Sequence, residues 1–356
     1  MKGKFFDYME TWEYENLWLC QDKAIGLKAV VAIHDTTLGP ATGGCRMWVY
    51  DHEEDAIIDA LRLARGMTYK YAAAGVNLGG GKTVVIGNPK TDKSEALFRA
   101  LGRFIDRLGG IYITGQDVGT TLEDMEQIRM ETPHVVTLPE HLGGAGPISP
   151  YTALGTVEGM RAGLKHIYGS DSLAGVRVAV QGLGSVGYHV VRLLVEGGAS
   201  VVVTDIDPEK VEEVTKEFNV QSVAPEAIYG VDCDVFSPCA LGAVVNDNTL
   251  TMFKCKIIAG AANNQLKEYR HGDALEAAGI LYLPDYILNA GGTIYDTDRL
   301  MFGLHDKARA ERNVRRIYQT TEKVLAIAKL EKLPTYQAAD LFAERRIQSI
   351  RNVKNI

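Results

Sequence analysis

The chain has 356 residues, of which 46% are hydrophobic, 8% aromatic and 23% charged. That balance excludes a disordered polypeptide, and the length exceeds what one hydrophobic core usually serves, so two domains of roughly 100 to 200 residues each are expected. With 38 Lys+Arg against 45 Asp+Glu the net charge is -7, and no block of basic residues builds the stripe that a phosphate backbone requires, which argues against a nucleic-acid partner.

Taken in chain order, short β-rich runs alternate with amphipathic stretches, the pattern of an α/β protein with largely parallel sheets. The periodicity predicts a helix over about 5–20, strands at 27–36 and 45–50, and a long helix over 53–72. A strand at 83–87, a helix from Lys93, a strand at 111–118 and a helix from Thr121 follow. Residues 132–150 then carry four of the 11 prolines and several glycines, which places a domain junction there. Beyond a helix over 151–168 the runs VRVAVQG, ASVVVTD, CDVFSPCA, CKIIAGAAN and ILYLPDY, separated by helical segments, read as a doubly wound nucleotide-binding domain. From about His305 the chain is helical, with Leu333-Pro334 dividing two long helices. The expected fold is therefore α/β: a mixed-sheet catalytic domain over 1–148 completed by helices from 326–356, and a Rossmann-type doubly wound domain over 149–325.

No run approaches the roughly 18 uninterrupted apolar residues of a membrane span, and the amino-terminal stretch is acidic where a signal peptide would be apolar, so a cytoplasmic location without membrane partners is expected. Cys20, Cys45, Cys233, Cys239 and Cys255 are odd in number and contain no CxxC pair, so they read as buried, reduced thiols. No metal-ligand spacing such as HExxH and no GxSxG elbow occurs, and no metal site is expected.

The strand VRVAV runs directly into Gly182-Leu183-Gly184-Ser185-Val186-Gly187, a GxGxxG that opens a helix. Strand, turn and helix stand in the order that binds a pyrophosphate: Gly182 for the turn, Gly184 for close backbone approach, Gly187 for helix packing. Asp205, at the end of the next strand, suits the adenosine ribose hydroxyls, and no arginine follows Ile206, which favours NAD over NADP. A plain strand-to-helix turn, with Asp205 capping the next helix, is the simpler alternative.

The run Asn77 to Thr83, NLGGGKT, imitates a nucleotide triphosphate loop, but Val76 stands where that motif needs glycine, and a helix precedes it instead of a strand. The three glycines before Lys82 are expected to bring the backbone close to a ligand and to desolvate the ammonium, drawing its pKa down towards that of a base. Lys70, taken alone, reads more readily as a complement to its helix C-terminus than as a substrate ligand. Asp117 follows a strand, where α/β sites lie, or caps the helix after it.

These segments together resemble the leucine, phenylalanine and valine dehydrogenases, the NAD-dependent amino acid dehydrogenases related to glutamate dehydrogenase. The resemblance rests on TTLGPATGGCRM, RGMTYKYAAAGVNLGGGKT, GQDVGTT, VQGLGSVG, SPCALGAVVND, AGAANNQL and PDYILNAGG, and covers nearly the whole chain. It implies oxidative deamination of an L-amino acid to a 2-oxo acid and ammonia, with substrate closed between the domains. Lys70 is implied to hold the substrate carboxylate, Lys82 to activate water, and Asp117 to act as second acid/base. Gly43, Gly44, Met67 and Asn264 are implied to lie against substrate. Thr152, Cys239, Ala240, Ala261, Asn264 and Asn289 are implied to line the cofactor channel with the glycine-loop residues, Asp205 and Ile206.

The side-chain pocket departs from the family, with Thr42, Gly115, Thr293 and Asp296 at its positions. Gly115 is expected to enlarge it, favouring a large apolar or aromatic substrate. Asp296 is expected to turn to solvent, to a basic group, or to a polar or cationic substrate side chain, which leaves the last as an alternative. A silent NAD-binding sensor is a further alternative, disfavoured by the retained Lys70, Lys82 and Asp117. The carboxyl terminus, RNVKNI, is shorter than the tails of many leucine dehydrogenases, so their octamer contacts are in doubt, although a homo-oligomer is expected.

Overall fold

The computed structural model describes residues 4–354; the expected first domain's opening Met1–Gly3 and the tail residues Asn355 and Ile356 lie outside the described residues. By their contacts the residues form two units, Met1–Gly146 with Asp296–His305 and Ala343–Ile356, and Pro147–Tyr295 with Asp306–Phe342. The helical segment expected to complete the first domain therefore contributes only from Ala343 onward, while 326–342 belong to the second unit. The reason lies in polar anchors at the start of the final helix: Tyr336 donates to Asp273 at 3.0 Å and Tyr286 donates to Asp340 at 2.8 Å.

The first unit begins with α1 (Phe5–Thr11), β1 (Asn16–Asp22), β2 (Leu27–Asp35), β3 (Ala41–Trp48), α2 (Glu53–Ala74) and β4 (Gly79–Ile86). Then come α3 (Glu95–Asp106), β5 (Tyr112–Gln116) and α4 (Leu122–Arg129). Its sheet runs β1-β2-β4-β3-β5, with β3 parallel to both β4 and β5, β2 antiparallel to β4 and β1 antiparallel to β2. The expected helix over 5–20 is thus wrong in its second half, where Asn16–Asp22 pairs with β2 as an edge strand. Alternation explains it: Trp18 and Cys20 enter the core beside α3, while Leu17 packs with α2 on the opposite face.

The glycines before Lys82, expected ahead of the strand at 83–87, lie inside β4 at the centre of the sheet. They serve packing. A Cβ on Gly80 would stand 2.2 Å from the Thr68 backbone nitrogen of α2, and one on Gly81 would stand 2.7 Å from the Tyr112 ring. Only hydrogens at these places let α2 and β5 approach so closely.

The second unit holds α5 (Ser149–Tyr168), β6 (Arg177–Gln181), α6 (Ser185–Glu196), β7 (Ser200–Thr204), α7 (Pro208–Phe218), β8 (Gln221–Ser222), β9 (Val235–Pro238), β10 (Ile257–Ile258), α8 (Tyr269–Ala277) and β11 (Leu281–Tyr282). The helices α9 (Asp285–Leu288), α10 (Gly291–Asp296), α11 (Asp298–Phe302), α12 (Lys307–Arg315), α13 (Ile317–Glu331) and α14 (Thr335–Lys354) complete the chain. The sheet is parallel throughout in the order β11-β10-β9-β6-β7-β8, a Rossmann arrangement whose strand order reverses between β6 and β9. The short β8 was not anticipated.

Candidate active site

In the first unit, β3, β4 and β5 place three expected residues side by side. Lys82, on β4, is only 5% exposed and forms an ion pair with Asp117, which follows β5. A Cβ on Gly44 would stand 2.6 Å from the Asp117 Cβ, so the bare backbone of β3 runs against this carboxylate. The Asp117 loop is pinned: its N–H donates to Thr120 Oγ1 at 3.0 Å, and that hydroxyl donates to the Cys45 carbonyl at 2.8 Å. The helix-capping alternative for Asp117 fails, because Thr121 caps α4 in a reciprocal box with Asp124.

Burial alone would push the Asp117 carboxyl up. The Lys82 ammonium and the Arg46 guanidinium, whose Nε lies 3.4 Å away, override it and hold the carboxyl down at about 2. Arg46 in turn pairs through Nη1 with Asp59 of α2 at 2.9 Å, and Tyr50 donates to the same Asp59 oxygen at 2.6 Å. Sequence reasoning missed Arg46, although an arginine within an otherwise apolar strand, three residues after Gly43, is itself a signal.

Gly43 and Met67 come together in the first unit. A Cβ on Gly43 would lie 1.8 Å from the Gly81 carbonyl oxygen and 3.3 Å from Met67 Cγ, and the Gly43 carbonyl accepts from Tyr112 Oη at 2.9 Å. Lys70 is half-buried, three residues beyond Met67 on α2. Behind this helix the buried His34 contacts Thr68 Oγ1 through Nδ1 at 2.9 Å and the Trp12 carbonyl through Nε2 at 3.1 Å. Burial lowers that imidazole to about 4, so it anchors α2 as a neutral group.

The side-chain-pocket residues differ most from expectation. Thr42 is fully buried, its hydroxyl donating to the Pro40 carbonyl at 3.3 Å. Gly115 does not open space: a Cβ there would meet Val136 Cγ2 at 2.8 Å and Thr137 Oγ1 at 2.9 Å, so its missing side chain is filled from within the protein. Asp296 does not turn to solvent. Its two oxygens accept from the Thr137 N–H at 3.0 Å and the Thr137 hydroxyl at 2.6 Å. Thr137 has φ 55, a left-handed conformation that β-branched residues seldom hold without support, and the Asp296 carboxylate supplies it. Burial pushes Asp296 up to about 6, against the Thr137 bonds and the Arg299 charge. Thr293, half-buried, belongs to the second unit.

In the second unit the glycine loop divides its labour. Gly182 has φ 97, and a Cβ there would lie 2.7 Å from the Ala240 Cβ; a Cβ on Gly187 would lie 1.9 Å from the Gly182 oxygen. At Gly184 a Cβ would meet nothing within 4 Å, so the amino end of α6, from Ser185 and Val186, faces an open space. Asp205 does not cap α7, which is Asp207's task; it accepts from the Leu183 N–H at 2.6 Å and the Asp207 N–H at 2.9 Å. The carboxylate thus clamps the glycine loop as well as closing β7. Ile206 beside it is 89% exposed.

The remaining cofactor candidates cluster by strand ends. The Cys239 N–H donates to Gln181 at 2.7 Å, which sets Ala240 over Gly182. Asn289 Nδ2 donates to the Ala261 carbonyl at 3.2 Å and to Asn263 at 2.7 Å, and its buried Oδ1 has no hydrogen-bond partner among the described residues. Asn264 is exposed with φ 53, and its carbonyl accepts from Ala243 at 2.7 Å. Thr152 Oγ1 is where a Cβ on Gly292 would reach, at 2.3 Å. Among the described residues no group of three or more His, Cys, Asp or Glu could hold a metal ion, and no helix is long and apolar enough to cross a membrane.

Comparison with known proteins agrees with both units. The Glu/Leu/Phe/Val dehydrogenase dimerisation-domain model matches residues 16–134, and the Glutamate/Leucine/Phenylalanine/Valine dehydrogenase model matches residues 205–351. A TrkA-N domain model also matches 178–229. The chain is 55% identical to leucine dehydrogenase of Geobacillus stearothermophilus over 99% of its own length and 95% of that protein's. It is 49% identical to phenylalanine dehydrogenase of Caldalkalibacillus thermarum, over 94% of this chain and 92% of that one. The crystal structure of L-tryptophan dehydrogenase from Nostoc punctiforme superposes with a TM-score of 0.85 at 43% identity, covering 98% of this chain and 99% of that one. With relatives this similar along its full length, and with a Rossmann unit in the same chain as a unit that buries a lysine–aspartate pair, the chain belongs to the Glu/Leu/Phe/Val dehydrogenase family of NAD(P)-dependent amino acid dehydrogenases.

Proposed function

We propose that the protein catalyses the reversible NAD-dependent oxidative deamination of an L-amino acid with a large apolar or aromatic side chain. The observation that carries this reading is the buried Lys82–Asp117 ion pair set against the bare backbone of Gly43 and Gly44. Lys70 binds the substrate carboxylate as a point charge, and Asn264 orients the amine. A dinucleotide held by the glycine loop, Asp205 and Asn289 would supply the acceptor for the hydride of the substrate α-carbon, and the substrate would be left as an iminium. Lys82 then directs water onto that carbon, and Asp117 moves protons to and from the departing nitrogen, so that ammonia leaves and a 2-oxo acid remains.

The second unit fits a dinucleotide. The open face at Gly184 suits a pyrophosphate at a helix N-terminus, and the orphaned Oδ1 of Asn289 offers an acceptor to a carboxamide. NAD is favoured over NADP because the Asp205 carboxylate repels a 2′-phosphate. The leucine, phenylalanine and tryptophan dehydrogenases among the relatives support the apolar substrate class. Because Thr137 occupies both Asp296 oxygens, a cationic substrate side chain loses the partner that had recommended it. Five free cysteines fit a reducing cytoplasm, and the dimerisation-domain match supports a homo-oligomer.

The test is NADH formation at 340 nm with Leu, Phe, Trp, Lys and Glu, alongside Lys82→Ala. Turnover of Leu, Phe or Trp that is lost in the variant while NAD binding persists supports the reading. Glutamate or lysine turning over best would refute the substrate class, and a wild-type protein that binds NAD but oxidises nothing would be a sensor.

A further inference from the structure

We propose that Arg46 is a positioning residue for the deamination: tethered by Asp59, its guanidinium fixes the Asp117 carboxylate against the Lys82 ammonium before substrate arrives. The inference rests on the proposed role of Asp117. Asp117 sits in a loop after β5, not within a strand, so its side chain needs an external reference. Three elements supply it. Lys82 reaches it from β4, Arg46 from β3, and Asp59 from α2 stands behind Arg46 at 2.9 Å.

The charges close. Two cations, Lys82 and Arg46, face two carboxylates, Asp117 and Asp59, and the Tyr50 hydroxyl satisfies Asp59 at 2.6 Å. The nearby Lys93–Asp124 pair closes on itself at 2.5 Å and leaves this group undisturbed. The guanidinium uses different edges for its two partners, Nη1 for Asp59 and Nε for Asp117 at 3.4 Å. A single ammonium has no such fork, so lysine would keep the charge and lose the bridge. Arg46 Nε and Asp117 Oδ2 are both buried and ion-paired at 3.4 Å, so the pair is shielded from water.

The experiment compares Arg46→Met, Arg46→Lys, Asp59→Asn and Asp117→Asn with wild type, recording kcat and KM for the amino acid, KM for NAD, pH profiles and Tm. Arg46→Met should lower kcat about tenfold or more with KM for NAD unchanged. Removing a positive charge favours protons on the remaining cluster, so its acid limb should move up by about one pH unit. Arg46→Lys should keep the limb in place and recover part of kcat, and Asp59→Asn should lower kcat with Arg46 still present. An Arg46→Met enzyme with a wild-type limb and kcat, while Asp117→Asn is inactive, would overturn the Arg46 inference alone. An Asp117→Asn enzyme of full activity would overturn it together with the role of Asp117. If Arg46→Met does not fold, Arg46→Lys and Asp59→Asn decide: wild-type kcat in both refutes the inference.

Discussion

Replacing Asp296 by asparagine isolates the energetic consequence of a buried acid. Its carboxyl is 7% exposed, accepts two bonds from Thr137, and is raised from 3.8 to about 6. A folded-state value above the unfolded one means that the native protein binds the proton more tightly. The associated stability is fully present below about pH 4 and is lost as pH rises through about 6. The difference corresponds to about 3 kcal/mol at most, lost at neutral pH. The asparagine side chain would carry no charge, keep an acceptor for the Thr137 N–H, and offer its amide to the Thr137 hydroxyl. The Asp296→Asn protein should therefore melt about 5 °C higher than wild type at pH 7.5, with the gap closing towards pH 4. Thermal unfolding followed by fluorescence across pH 4 to 8 measures it. A variant that melts lower than wild type at pH 7.5 and keeps the wild-type pH dependence would refute the reasoning.

Three other changes test separate parts of the structure. Gly43→Ala drives a methyl group into the Gly81 carbonyl at 1.8 Å, so it should cost roughly 3 kcal/mol or more and abolish deamination, as unfolding and turnover will register. Arg346, on α14, donates to the carbonyls of Tyr71, Ala72 and Val76 at 3.3, 3.1 and 2.9 Å, closing the carboxyl end of the helix that carries Met67 and Lys70. Arg346→Ala should destabilise the first unit by about 2 to 4 kcal/mol and raise KM for the amino acid while KM for NAD stays. Asp205→Ala removes both the clamp on Leu183 and the charge proposed to face the ribose. Titration with the two cofactors should show NAD binding weakened about tenfold or more and the preference over NADP reduced.

By itself the sequence determined what is local. The alternation of strands and helices, the GxGxxG turn with its downstream Asp205, and the glycine run ahead of Lys82 were all legible because each depends on neighbours a few residues apart. Even there, local reasoning erred where partners decide the outcome: Asn16–Asp22 became a strand because β2 was free to pair, and Gly79–Gly81 became its inner neighbour because α2 and Tyr112 press against them. Tertiary structure alone decided the polar settlements. Thr137 and Asp296 meet across 159 residues, and Arg346 reaches the end of α2 across some 270. Arg46 finds both of its carboxylates only when β3, α2 and the loop after β5 are assembled. A buried charge must find a partner somewhere, but which partner depends on the surfaces that packing brings together, and no pattern of spacing along the chain encodes that choice.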